Sequence, residues 1–105
     1  MPTRWLPHLI ARIRALAVER RVRFTAKALR ELSNLGLGLD QDDGCDILSR
    51  LSPADFRERL LSDRSGEFMY VFKPVVAATT LYLKVVIRGD CIVVSLHEDE
   101  VRDEE

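Results

Sequence analysis

Apolar residues recur at helical spacing near the start of the chain. Leu6, Leu9, Ile10, Ile13, Leu16 and Ala17 form one stripe flanked by Arg12 and Arg14, which predicts a first helix with one buried face. Thr25 is placed to cap a second helix. Gly36 follows that helix's last apolar residue, where a left-handed conformation ends helices. Residues 40–44 read as a polar turn and 46–50 as a short third helix. Ser52-Pro53-Ala54-Asp55 predicts a further helix start, with serine as cap, proline at the first position and an acid at the positive end of the dipole. That fourth helix is expected to reach about residue 61 and to end in 62–66.

The pattern changes after residue 67. Residues 68–73 are aromatic-rich and stop at Pro74, while 79–88 and 91–97 are rich in β-branched residues. Gly89-Asp90 between the last two predicts a tight hairpin. A two-residue loop pairs Arg88 with Cys91, Ile87 with Ile92, Val86 with Val93, Val85 with Val94, Lys84 with Ser95, Leu83 with Leu96 and Tyr82 with His97. Side chains alternate along a strand, so Ile87, Ile92, Val85, Val94, Leu83 and Leu96 share an apolar, helix-facing side. Tyr82, Lys84, Arg88, Ser95 and His97 fall on the other, beside Val86, Val93 and Cys91. The fold class is therefore α+β: N-terminal helices on one face of a C-terminal antiparallel sheet of three strands or slightly more.

Composition bounds the reading. The chain has 105 residues, 47% of them hydrophobic, which suits one globular domain, expected over residues 1–98. Two cysteines, Cys45 and Cys91, make no disulfide framework, and reduced thiols in a cytoplasm are expected. No apolar run is long enough to span a membrane. The Arg-rich, acid-poor start resembles a mitochondrial presequence in composition, although its apolar stripe suits a packed helix equally. The net charge of −1 argues at first against a nucleic-acid ligand. Residues 98–105, however, hold six acids and one arginine, and the remainder carries 15 basic against 11 acidic residues. The chain is thus a basic body with an acidic tail, 99–105.

Tyr82, Lys84 and His97 on one open face suit acid–base chemistry on a phosphodiester. Histidine exchanges protons near neutral pH, tyrosine donates a hydrogen bond, and an ammonium stabilises a phosphorane-like transition state. The 2′-hydroxyl of RNA would supply the nucleophile, so neither metal nor cofactor is called for. The plain alternative is that these are ordinary outward residues of a half-exposed sheet. Two histidines and unpatterned cysteines define no metal site, and Asp40, Asp42, Asp43 and Asp46 lack the terminal glutamate of a calcium loop. A DNA-binding role for the basic first helix is disfavoured, because its apolar stripe is needed for packing.

Several segments together resemble a known family. These are Ser52-Pro53-Ala54-Asp55-Phe56, Phe68-Met69-Tyr70-Val71-Phe72-Lys73-Pro74, Leu81-Tyr82-Leu83-Lys84 and Ile92-Val93-Val94-Ser95-Leu96-His97. Over residues 6–98 the chain resembles the MqsR toxins of type II toxin–antitoxin systems. The resemblance implies a RelE-like ribonuclease fold, metal-independent cleavage of single-stranded messenger RNA that blocks translation, and a cognate antitoxin. It implies no membrane, and DNA contact only through the antitoxin complex. Tyr82 falls on the family's functional tyrosine, and His97 falls where the family often has lysine. Glu58 stands where a lysine is usual and Met69 where a glutamine is usual. Taking the residue reading and the resemblance together, the expected catalytic set is Tyr82, His97 and Lys84, with Arg57, Arg59, Lys73, Arg88 and Met69 at the RNA. The alternative is an antitoxin-binding, regulatory module with reduced catalysis.

Overall fold

The computed structural model describes residues 4–100; the acidic residues beyond lie outside them. Helix α1 (Trp5–Val18) leads into a short strand β1 (Val22–Phe24), then α2 (Ala26–Asn34) and α3 (Gln41–Ser49). A 3-10 turn (Pro53–Asp55) precedes β2 (Phe56–Leu61), β3 (Phe68–Phe72), β4 (Val75–Val76), β5 (Thr79–Arg88) and β6 (Asp90–Glu98). The sheet runs β1-β6-β5-β3-β2, with β4 paired to β5, and the helices lie on one face. The α+β expectation holds. The sheet is larger than three strands and mixed, because β1 runs parallel to β6.

The core follows the apolar stripe. Ile10, Ile13, Leu16 and Ala17 of α1 are buried with Ala28 and Leu32 of α2, Leu48, Leu51 and the sheet's Phe72, Leu81, Leu83, Val85, Val93 and Leu96. Thr25 caps α2 by accepting from Ala28 N–H at 3.1 Å. The predicted polar turn at 40–44 is instead the entry to α3. Asp40 and Asp43 form a reciprocal capping box, at 2.9 and 3.0 Å, which is the use found for that acidic cluster. The Asp43 backbone N–H holds the Asp40 carboxyl below its usual range.

The predicted fourth helix is a correction. Its start signal is real, since Ser52 N–H donates to Asp55 Oδ2 at 3.0 Å. It closes one 3-10 turn only, and Phe56–Leu61 then extends as β2 against β3. Its apolar residues suit helix and strand alike, and pairing with the aromatic strand decides between them.

The hairpin register is half as expected. Tyr82↔His97, Leu83↔Leu96 and Lys84↔Ser95 pair as predicted. Beyond them the ladder shifts by one, to Val85↔Val93, Val86↔Ile92 and Ile87↔Cys91. Val94 is the extra residue of a bulge. Hence Val93 and Leu96, three apart, both reach the core, and Cys91 and Val93 replace the expected Ile92 and Val94 there.

Candidate active site

The outer sheet face is built from alternate residues of β2, β3, β5 and β6. Phe72 pairs with Leu83 and Tyr70 with Val85, so the even-numbered aromatics face the helices. The odd residues Met69, Val71 and Lys73 face outward. One row across the face reads Glu58, Val71, Lys84 and Ser95. Val71 and Val86 are buried yet stand outside the main core, as expected for valines roofed by longer outer-face side chains.

Tyr82 and His97 meet on this face. Their rings stack with centroids 5.0 Å apart and planes 9° from parallel. His97 Nδ1 lies 2.8 Å from the Glu98 carbonyl oxygen, so that nitrogen carries a hydrogen and donates it. Nε2 is thereby left for proton exchange with a ligand. Lys84 sits two residues along β5 on the same face, and among the described residues it forms no ion pair.

The other predicted residues divide. Lys73 follows β3 where the register carries it toward Tyr82, but its Nζ is 3.3 Å from Asp99 Oδ1. Asp99 is itself tied down, its side chain 9% exposed and its N–H donating to Thr80 at 2.9 Å. Met69 shares the outer face beside Leu60. Arg57 stands at a bulge and donates to the Ala54 and Phe56 carbonyls at 2.9 and 3.1 Å. Arg59 does not join the site. It lies on the opposite face, 4.5 Å over the Trp5 ring and 4.2 Å over Phe68. Phe68 and Tyr70 share that helix-side face. Arg88 stands six residues from Tyr82, about 20 Å along the strand, and is held by Glu67 at 2.7 and 2.8 Å. That pairing lowers the Glu67 carboxyl and raises the Arg88 guanidinium from their usual values.

Sequence reasoning missed a pair on α2. Lys27 Nζ lies 2.9 Å from Ser95 Oγ and 2.9 Å from Glu31 Oε2, while Glu31 Oε1 accepts from Leu96 N–H at 2.9 Å. Lys27, Glu31, His97, Glu98, Asp99 and Glu100 line one cleft. Burial pushes the Glu31 carboxyl up, but the Leu96 N–H and Lys27 outweigh it, leaving the group below its usual range. The helical spacing of Lys27 and Glu31 was visible, but nothing local said that they reach β6.

The cysteines take no part. Both are buried, and burial pushes the Cys91 thiol up to about 12. No grouping of three or more metal-ligating side chains occurs among the described residues. No helix among them is long and apolar enough to cross a membrane.

A small α+β body carries an open sheet face on which stacked tyrosine and histidine stand beside a lysine. Residues 7–98 match the family model described as motility quorum-sensing regulator, toxin of MqsA. The chain therefore belongs to the MqsR toxin family, and is the toxin of a toxin–antitoxin pair with an antitoxin partner. No curated protein matches it.

Proposed function

We propose that this toxin is an endoribonuclease that cleaves single-stranded messenger RNA in the bacterial cytoplasm and so blocks translation. The observation that carries the reading is the stacked Tyr82–His97 pair on an open face, with Lys84 two residues along the strand on the same side. The substrate's 2′-oxygen attacks phosphorus and the P–O5′ bond breaks. The 2′-hydroxyl proton leaves to solvent, and cationic His97 gives its Nε2 proton to the departing 5′-oxygen. Lys84 stabilises the charge gathering on the phosphoryl oxygens, and the Tyr82 hydroxyl donates to the same group. The products are a 2′,3′-cyclic phosphate and a 5′-hydroxyl. Stacking on Tyr82 fixes the imidazole plane.

A second reading has its own support. Glu58 brings a carboxylate to the same row as Lys84, and Lys73 and Arg88 are engaged by Asp99 and Glu67. Those pairings suit a module that binds its antitoxin without cleaving RNA. Expression of the intact chain, Tyr82→Phe and His97→Ala, with growth and message integrity followed, separates the two. Arrest and message loss with the intact chain only support the ribonuclease. Unaffected growth and messages with the intact chain refute it.

A further inference from the structure

We propose that Lys27 is a phosphate-binding residue of the RNA site and that Glu31 is the positioning residue holding it there. The inference rests on the ribonuclease reading of the Tyr82–His97 face.

Helix α2 meets β6 at its edge. Strand β1 covers that edge only as far as Val93, where the Val94 bulge interrupts the ladder. Beyond it, α2 supplies the partners that a neighbouring strand would have supplied. Thr25 Oγ1 donates to the Val94 carbonyl at 3.3 Å, and Glu31 accepts from the Leu96 N–H. Glu31 is thus anchored to the backbone next to His97, and its other oxygen grips Lys27.

The strand register determines where Lys27 arrives. It places Ser95 on the outer face, opposite Lys84 and two residues from His97. Ser95 is buried, and Lys27 Nζ is bonded to its hydroxyl. The ammonium therefore lies at the Lys84–Ser95 row, two residues along the strands from Tyr82 and His97. Ser95 and Glu31 take two of its three N–H donors. The third belongs to a side chain 56% exposed, accessible to a phosphate oxygen.

Of the residues lining the cleft, Lys27 and His97 are the basic ones, set among Glu31, Glu98, Asp99 and Glu100. Helices usually bring acids to their first turn, yet the first turn of α2 has none and places a lysine at its second position. The arrangement also offsets Glu58. A cation absent from the β2 side of the face is supplied from the β6 side by α2.

The test is binding of a single-stranded oligonucleotide made uncleavable by 2′-deoxy substitution, followed by anisotropy over a range of salt, with cleavage of the matching RNA in parallel. Lys27→Gln, which keeps a donor but removes the charge, is expected to weaken binding about 5- to 10-fold at about 0.1 M salt. The slope of log K against log salt should flatten by about 0.7, the value for one lost phosphate contact on a single strand. Lys27→Arg should restore both. Glu31→Gln should bind within about twofold of wild type but turn over several-fold more slowly, since the charge remains and its placement is lost. An unchanged salt slope in Lys27→Gln overturns the proposal and leaves Lys27 as a closure of the strand edge. Lys27→Met carries the same test if the glutamine variant fails to fold. A wild-type chain that neither binds nor cleaves defeats the ribonuclease reading, and this inference with it. A wild-type chain that cleaves, with an unaltered Lys27 variant, defeats only the inference.

Discussion

Replacing Glu58 by lysine tests the charge balance of the outer face. Glu58 is exposed and stands two strands from Lys84 in one cross-sheet row, with Val71 between. Strands lie about 4.8 Å apart, so the two positions are about 10 Å apart. At that distance, and an effective dielectric of about 40, a unit charge acting on a phosphate at Lys84 contributes about 0.8 kcal/mol. Salt at about 0.1 M roughly halves this. Glu58→Lys changes the charge by two units, so the gain is about 0.8 kcal/mol, or about fourfold in RNA affinity. Glu58→Gln should give about half that free energy, about twofold. The assay is kcat/KM on a short RNA at two salt concentrations, with urea unfolding as control. Folding stability should stay within about 0.5 kcal/mol, as for an exposed site. A loss of affinity, or no change in an RNA-cleaving protein with the fold intact, refutes the reasoning that RNA crosses this row.

Three further outcomes test the fold beneath the site. A Cβ at Gly44 would stand 2.6 Å from Phe24 Cζ, so Gly44→Ala should lose about 1–2 kcal/mol in urea unfolding despite its better helix propensity, and a Phe24→Leu background should recover most of it. Ala78 holds φ +63°, a region costly for any residue with a Cβ, and Ala78→Gly should stabilise by about 0.5 kcal/mol and raise Tm by about 2–4 °C. The Glu31 carboxyl is depressed by the Leu96 N–H and Lys27 against the opposing effect of burial, so its stabilisation is present above the ordinary glutamate range and lost as pH falls through its folded value. Denaturation from about pH 6 to pH 3 should therefore slope less steeply in Glu31→Gln than in wild type, and equal slopes would contradict that role.

How far the sequence could be read depended on how local each contact is. Tyr82–His97 was legible because a slip would expose the apolar row, and the one-residue shift that begins at the turn with Arg88↔Asp90 is undone by the Val94 bulge. The Val94 bulge was not, since it answers to β1 and α2, whose pairing with β6 spans most of the chain. β1 itself is three residues and gains meaning only through that parallel pairing. β2 read as a helix because Ser52, Pro53 and Asp55 do begin a helical turn. Arg59 was misplaced for the same reason: the facing of a strand residue follows from its register with Tyr70. Lys27 and Glu31 reach residues 68 and 65 positions away, which no local pattern signals.

The central claim is that Tyr82, Lys84 and His97 cleave RNA using its own 2′-hydroxyl. It is tested most directly by mass analysis of a single-stranded oligonucleotide incubated with the purified toxin and a chelator. The account predicts fragments ending in 2′,3′-cyclic phosphate and 5′-hydroxyl, no cut at a position made 2′-deoxy, and rates lower by about 10²–10⁴ for His97→Ala. An uncut RNA, a cut at the 2′-deoxy position, or a His97→Ala variant as fast as wild type would contradict it.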